Sequence, residues 1–154
     1  MPTAVDLLGE TTASRAAVVA ATALVVIACV VLHYEALMIF SRLMRRIHIV
    51  PRARIMVLIF GILGVHIVEI WIFGAGYYLL SHSPGHGTLV ASHAVGFLDD
   101  VYFSAVCFTT LGLGDIAPLG AIRFLAGTEA LTGFVLVTWS ASFTFVEMQR
   151  FWRG

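Results

Sequence analysis

The chain is short of charge. Arg, Asp and Glu together make up 12% of its 154 residues, about half the roughly 25% usual in soluble domains. Lysine is absent. Nine basic residues, all arginine, cancel nine acidic ones to leave a net charge of 0. That balance excludes a nucleic-acid binder, which needs an excess of positive charge. A disordered chain is excluded as well, because it would be polar and rich in charge. Cysteine is scarce: Cys29 and Cys107 lie inside apolar runs, with no CxxC pair and no Cys/His spacing suited to a metal. Both read as small buried hydrophobes. What is present in excess is apolar surface. Hydrophobic residues are 60% of the chain and the mean hydropathy is +0.97, which leaves an all-α integral membrane protein as the fold class.

Three runs are long enough to cross a hydrocarbon core of about 30 Å at about 1.5 Å per residue. They cover residues 16–40, 55–80 and 121–148. The first is too long for a signal-peptide core and follows no basic cluster, so it is read as a mature helix. Residues 81–100 form a loop rich in Gly, His and Ser. Residues 101–110 are apolar but amount to only about 15 Å of helix, half a membrane. A half-length helix followed by irregular backbone is tolerated at membrane depth only where protein buries it or a water-filled path runs along it.

Arginine placement predicts the orientation. Residues 41–54 carry Arg42, Arg45, Arg46, Arg52 and Arg54 with no acid, and the tail at 149–154 adds Arg150 and Arg153. The positive-inside rule places this basic loop and the C-terminus in the cytoplasm. The segment 1–15 and the loop 81–100 then lie outside the cell. The five loop arginines flank Pro51 and do not recur within a span. They read as topology anchors that bind anionic membrane lipid, not as a voltage sensor.

The string Thr109-Thr110-Leu111-Gly112-Leu113-Gly114-Asp115 follows the short helix. A cation entering a bilayer must exchange its water for other oxygens. Consecutive backbone carbonyls supply them if successive peptides point the same way along an axis. That geometry needs alternating backbone conformations, some with positive φ, which glycine adopts without steric cost. Gly112 and Gly114 alternate as required. Thr110 adds a hydroxyl at the inner end and Asp115 adds negative charge at the outer mouth. The helix before the string aims its negative dipole end at the pore centre. At ordinary residue usage a T-x-G-x-G-D match in a chain this long arises by chance roughly once in several hundred sequences.

The stretch YFSAVCFTTLGLGDIAP, followed by a span containing Arg123 and Gly133, resembles the pore module of the potassium channel superfamily. It is most similar to the small bacterial two-helix pore domain also found in two-pore-domain channels. The resemblance covers about residues 55–147. It implies a pore domain at 55–148, with outer helix 55–80, pore helix 101–110, filter 110–115 and inner helix 121–148. The span 16–40 is additional to that module. The resemblance further implies a channel and not an enzyme, with K⁺ as the permeant ion and no cofactor. Because one loop supplies a quarter of each carbonyl ring, it implies a homotetramer in the cell membrane. Two positions depart from the family: Leu113 replaces the usual aromatic and Leu111 the usual Val or Ile. Leu113 cannot donate a hydrogen bond behind the filter, so a softer filter is expected, conducting K⁺ with some Na⁺. The pore-helix position that holds a carboxylate in some relatives is Val106, so Arg123 or a water is the expected partner of Asp115.

Other polar residues carry narrower expectations. His66 and Glu69 share a helix face and are expected to form a hydrogen-bonded pair holding the first span to the second, with His33, Tyr34 and Glu35 as candidate partners. Glu129 is expected to support the pore helix from behind. Gly133 is either a hinge of the inner helix or a packing glycine. Phe134, Val137, Thr138 and Ala141 share one face and are the expected cavity lining. His82, His86 and His93 are expected to face solvent. Two alternatives stand beside the channel: a haem protein for electron transfer using His33 and His66, and a pore-like subunit that assembles without conducting.

Overall fold

The computed structural model describes residues 4–46 and 50–152. Helix α1 (Ala4–Arg46) is followed by α2 (Pro51–Ser81), strand β1 (Thr88–Val90), the short helix α3 (Phe97–Phe108), strand β2 (Ala117–Leu119), a 3-10 turn (Gly120–Ile122) and α4 (Arg123–Trp152). Three stretches are long and apolar enough to cross a membrane: Thr12–Arg46, Arg52–Ser81 and Gly120–Arg150. The chain is therefore an all-α membrane protein with one helix, α3, too short to span.

The helices outrun the expected spans. Residues 4–15 belong to α1 and are not a separate segment, and α1 continues through Arg42, Arg45 and Arg46. The expected basic loop 41–54 shrinks to the connection between Arg46 and Pro51, of which 47–49 lie outside the described residues. A hydropathy window ends where charge begins, whereas a helix ends where its backbone is capped, and Arg, Leu and Met are good helix formers. Pro51 opens α2 at a position where its missing N–H costs nothing. Arg45 and Arg46 close α1, where positive charge complements the helix dipole. At the other end of the chain, α4 runs on to Trp152; Arg153 lies outside the described residues.

Helix α3 starts earlier and stops earlier than the expected 101–110. Gly96 is its N-cap, and the Gly96 N–H donates to Asp99 Oδ2 at 2.8 Å. Asp99 and Asp100 thus form the first turn of α3, where negative charge is favoured. The helix ends at Phe108 with two reverse-turn bonds, Thr110 N–H to Cys107 O at 2.9 Å and Leu111 N–H to Val106 O at 3.0 Å. This is a Schellman motif, which satisfies the last carbonyls and turns the chain out of the helix.

The core gathers around α3. Phe73 and Tyr77 of α2, Phe103 and Phe108 of α3, and Leu125 and Leu136 of α4 are buried together with Val18 and Cys29 of α1. Tyr77 and Phe103 meet edge to face, with centroids 5.0 Å apart. Strands β1 and β2 pair antiparallel, Leu89 opposite Pro118, and tie the loop before α3 to the segment after it.

Two glycines set how closely α3 is held. A Cβ on Gly74 would lie 2.9 Å from the Val101 Cα, and one on Gly133 would meet the backbone carbonyl of Phe108. α4 passes through Gly133 without interruption, so this close crossing accounts for the glycine without a bend. Gly74→Ala and Gly133→Ala are each expected to destabilise the purified protein by about 1–3 kcal/mol through overpacking. Gly64→Ala, whose Cβ meets nothing within 4 Å, is the control. Thermal unfolding followed by tryptophan fluorescence checks this, and equal melting temperatures for all three variants would contradict it.

Candidate functional site

The chain leaving α3 carries three residues with positive φ at every second position: Thr110 at 57°, Gly112 at 60° and Gly114 at 80°. Thr110 is the residue among those described that adopts this conformation without being glycine, at a cost of roughly 1–2 kcal/mol. It occupies the left-handed position of the Schellman motif, where glycine is usual. Alternation of left- and right-handed backbone is what brings successive carbonyls of a strand-like segment to one side.

Residues 110–115 are all exposed within the single chain. A Cβ on Gly112 or Gly114 would meet nothing within 4 Å, and Leu111 and Leu113 are 63% and 57% exposed. Among the described residues, 112–115 make no backbone–backbone hydrogen bond. Two exposed leucines and a run of carbonyls without backbone partners among the described residues thus stand side by side at the end of α3.

Asp115 is held by α3, and the expected Arg123 is not its partner. Tyr102 Oη donates to Asp115 Oδ2 at 2.8 Å. Arg123 is exposed and forms no ion pair with Asp115 among the described residues. The hydrogen bond to Asp115 pushes the Tyr102 phenol above its ordinary range. Tyr102 lies one helical turn before Val106, the position where some relatives hold a carboxylate.

Behind α3 sits Glu129 of α4, fully buried. Tyr77 Oη donates to its Oε2 at 2.5 Å and Ser104 Oγ to its Oε1 at 2.6 Å. Ser104 also lies 2.8 Å from the Ile70 carbonyl. One carboxylate thus joins α2, α3 and α4 immediately behind the turn into residues 110–115. Tyr77, an ordinary apolar-run tyrosine in the sequence, carries no local mark of this role.

Glu69 of α2 makes a second buried junction. His33 Nδ1 of α1 lies 2.9 Å from Glu69 Oε1, and His66 Nδ1 lies 2.8 Å from Oε2. Ser140 Oγ of α4 is 3.3 Å from His33 Nε2. The two imidazole rings stack at 5.4 Å and 28°. Stacked faces do not aim nitrogens at one another, so no haem iron fits between them and the electron-transfer alternative loses its ligands. Tyr34 lies tilted against Trp139, with ring centroids 6.4 Å apart.

The face Phe134, Val137, Thr138 and Ala141 is exposed in the single chain. The three loop histidines do not converge: His82 contacts the Tyr78 carbonyl, His86 the Ser83 carbonyl and His93 the Asp99 carboxylate. The Gly96 N–H, with His93 beside it, holds the Asp99 carboxyl below its ordinary value.

With the geometry in place, the comparisons agree with it. Residues 53–150, well over half of the chain, match the protein family described as ion channel. The chain belongs to that family. It is also similar to Protein LctB of Geobacillus stearothermophilus, 28% identical over 76 residues, which is 49% of this chain. The match spans 54% of that relative, about half its length. No solved structure matches the chain. α1 lies outside the matched residues.

Two predictions follow from the buried acids. Tyr77→Phe leaves one oxygen of a buried carboxylate without its donor, and is expected to cost about 1–3 kcal/mol in thermal unfolding; an unchanged melting temperature would show that Glu129 does not need it. Asp100 is buried with Oδ1 unpartnered. Burial pushes its carboxyl up to about 6, opposed in part by His82. The folded state therefore favours the neutral acid, a contribution present below the ordinary carboxyl range and lost as pH rises through about 6. Asp100→Asn is expected to raise the melting temperature at about pH 8 and to leave it unchanged at about pH 4. A lower melting temperature at the higher pH would contradict this.

Proposed function

We propose that four copies of this chain surround one axis and form a potassium channel of modest selectivity, with residues 110–115 as the filter. The observation that carries this reading is positive φ at Thr110, Gly112 and Gly114 in a loop left bare at the end of a half-length helix. One such loop supplies a quarter of each carbonyl ring, so the conducting unit is a homotetramer. Thr110 contributes a hydroxyl at the inner end and Asp115 a negative charge at the mouth. K⁺ passes down its gradient, with Na⁺ as the competing ion.

Phe134, Val137, Thr138 and Ala141 line the cavity beneath the filter in this reading. Their exposure in one chain supports it. The arginine-rich ends of α1 and α2 lie in the cytoplasm, as the positive-inside rule requires, and contact anionic lipid at the cell membrane. Those ends gather Arg45, Arg54 and Arg150 around one pocket.

Leu113 makes the filter softer than one with an aromatic at that position. Tyr102 and Ser104 donate to Asp115 and Glu129, and each hydroxyl oxygen keeps acceptor capacity for a donor added at position 113. Gly112→Ala and Gly114→Ala are expected to abolish K⁺ flux into proteoliposomes while leaving membrane insertion intact, because a Cβ opposes the φ each position holds. Normal flux in both would remove the carbonyl ladder from the account. Leu113→Tyr is expected to raise the K⁺/Na⁺ permeability ratio by up to about tenfold, equal to about 1.4 kcal/mol or about 60 mV of reversal potential. A conducting variant with an unchanged or lower ratio would contradict the role given to Leu113.

A further inference from the structure

We propose that His33, His66 and Glu69 form a binding site for a divalent transition metal of the zinc class, clamping α1 to the pore domain. Their three ligand atoms lie within 4.8 Å of one another. His33 and Glu69 are fully buried, and the His66 side chain is 13% exposed. Two imidazole nitrogens and a carboxylate oxygen are a donor set that zinc takes in open sites with a fourth position left for water. Zinc bonds of about 2.0–2.2 Å put tetrahedral donors about 3.3 Å apart. His33 Nδ1 lies 2.9 Å from Glu69 Oε1 and His66 Nδ1 2.8 Å from Oε2, so an ion held by one of these oxygens draws the other imidazole toward it.

The three side chains converge: His33 Nδ1 and His66 Nδ1 are both turned toward the Glu69 carboxyl group. A divalent ion seated among them is bound by each imidazole through Nδ1, which leaves Nε2 to carry the ring proton. On His33 that Nε2–H faces Ser140 Oγ at 3.3 Å, the kind of oxygen partner that orients a metal-bound histidine.

An entry path exists. A groove of about 490 Å³ between α2 and α4 is lined by Ile62, Leu63, His66, Val137, Ser140 and Ala141, so the partly exposed face of His66 opens onto it. The far side is closed by the Trp139 ring, 5.3 Å from His33. His33 sits on α1, outside residues 53–150 that match the family. The site therefore gives the additional span a task of its own, independent of what passes the filter.

The test is titration of the full chain, purified in detergent and stripped of metal, with Co²⁺ as a spectroscopic probe and Zn²⁺ as competitor. The expected result is one Co²⁺ per chain with the intense visible bands of a four-coordinate ion, displaced by Zn²⁺. His66→Asn, which leaves the His33–Glu69 contact in place, is expected to abolish those bands, and Ser140→Ala to weaken binding about tenfold. A chain with His82, His86 and His93 all replaced by Asn is expected to retain them. The proposal is overturned if wild-type protein shows only the weak spectrum of hydrated Co²⁺. It is equally overturned if the bands survive in His66→Asn, or vanish with the loop histidines. The wild-type spectrum decides the matter even if a variant fails to fold, and none of these readouts depends on ion conduction.

Discussion

The structure depends on keeping a helix that cannot cross the membrane fixed at the right depth. α3 has 12 residues, about 18 Å of helix, and ends where irregular backbone begins. Left to itself, such an end would expose carbonyls with nothing to bind. The Schellman turn at Thr110 satisfies the last of them, and Glu129 fixes the helix by taking hydrogen bonds from Tyr77 and Ser104. Glycines on either flank let α2 and α4 approach α3 at backbone distance. Apolar packing alone would permit α3 to slide along its neighbours, because one lipid-like surface resembles another. A buried acid with two fixed partners does not permit it, since a shift would leave buried polar atoms unsatisfied.

Two buried carboxylates divide the labour. Glu129 joins α2, α3 and α4 behind residues 110–115, while Glu69 joins α1, through His33, to α2, with Ser140 of α4 behind. The layers touch through Phe108, whose ring lies 5.6 Å from His66 and whose backbone meets Gly133. A change at the Glu69 junction thus has a short physical path to the end of α3. That path runs from the span outside the family's matched residues to the loop that would meet the ion.

The alternating backbone of residues 110–115 was legible in the sequence because it is a local property. TLGLGD carries its alternating glycines in consecutive positions, and the half-length apolar run before it marks the helix. The supporting roles of Glu129 and Glu69 were legible in part, since an acid inside a span demands a partner. The partners themselves were not. Tyr77 is 52 positions from Glu129 and Ser104 is 25, and choosing them requires the rotation of each helix about its axis. The true start of α3 was obscured because Asp99 and Asp100 look like loop residues until their place in a helix's first turn is recognised. The partner of Asp115 differs from the expected Arg123 or water for a related reason: the hydroxyl comes from Tyr102, one turn before Val106, and only the rotation of α3 brings it there.

The central claim is that bare carbonyls on alternating backbone select a dehydrated cation. The most direct measurement is the reversal potential of the purified wild-type protein in a planar bilayer, with K⁺ on one side and Na⁺ on the other. The account predicts a current whose reversal is displaced toward the K⁺ equilibrium potential, by about 60 mV for each tenfold preference. A reversal at zero, or displacement toward Na⁺, would contradict it.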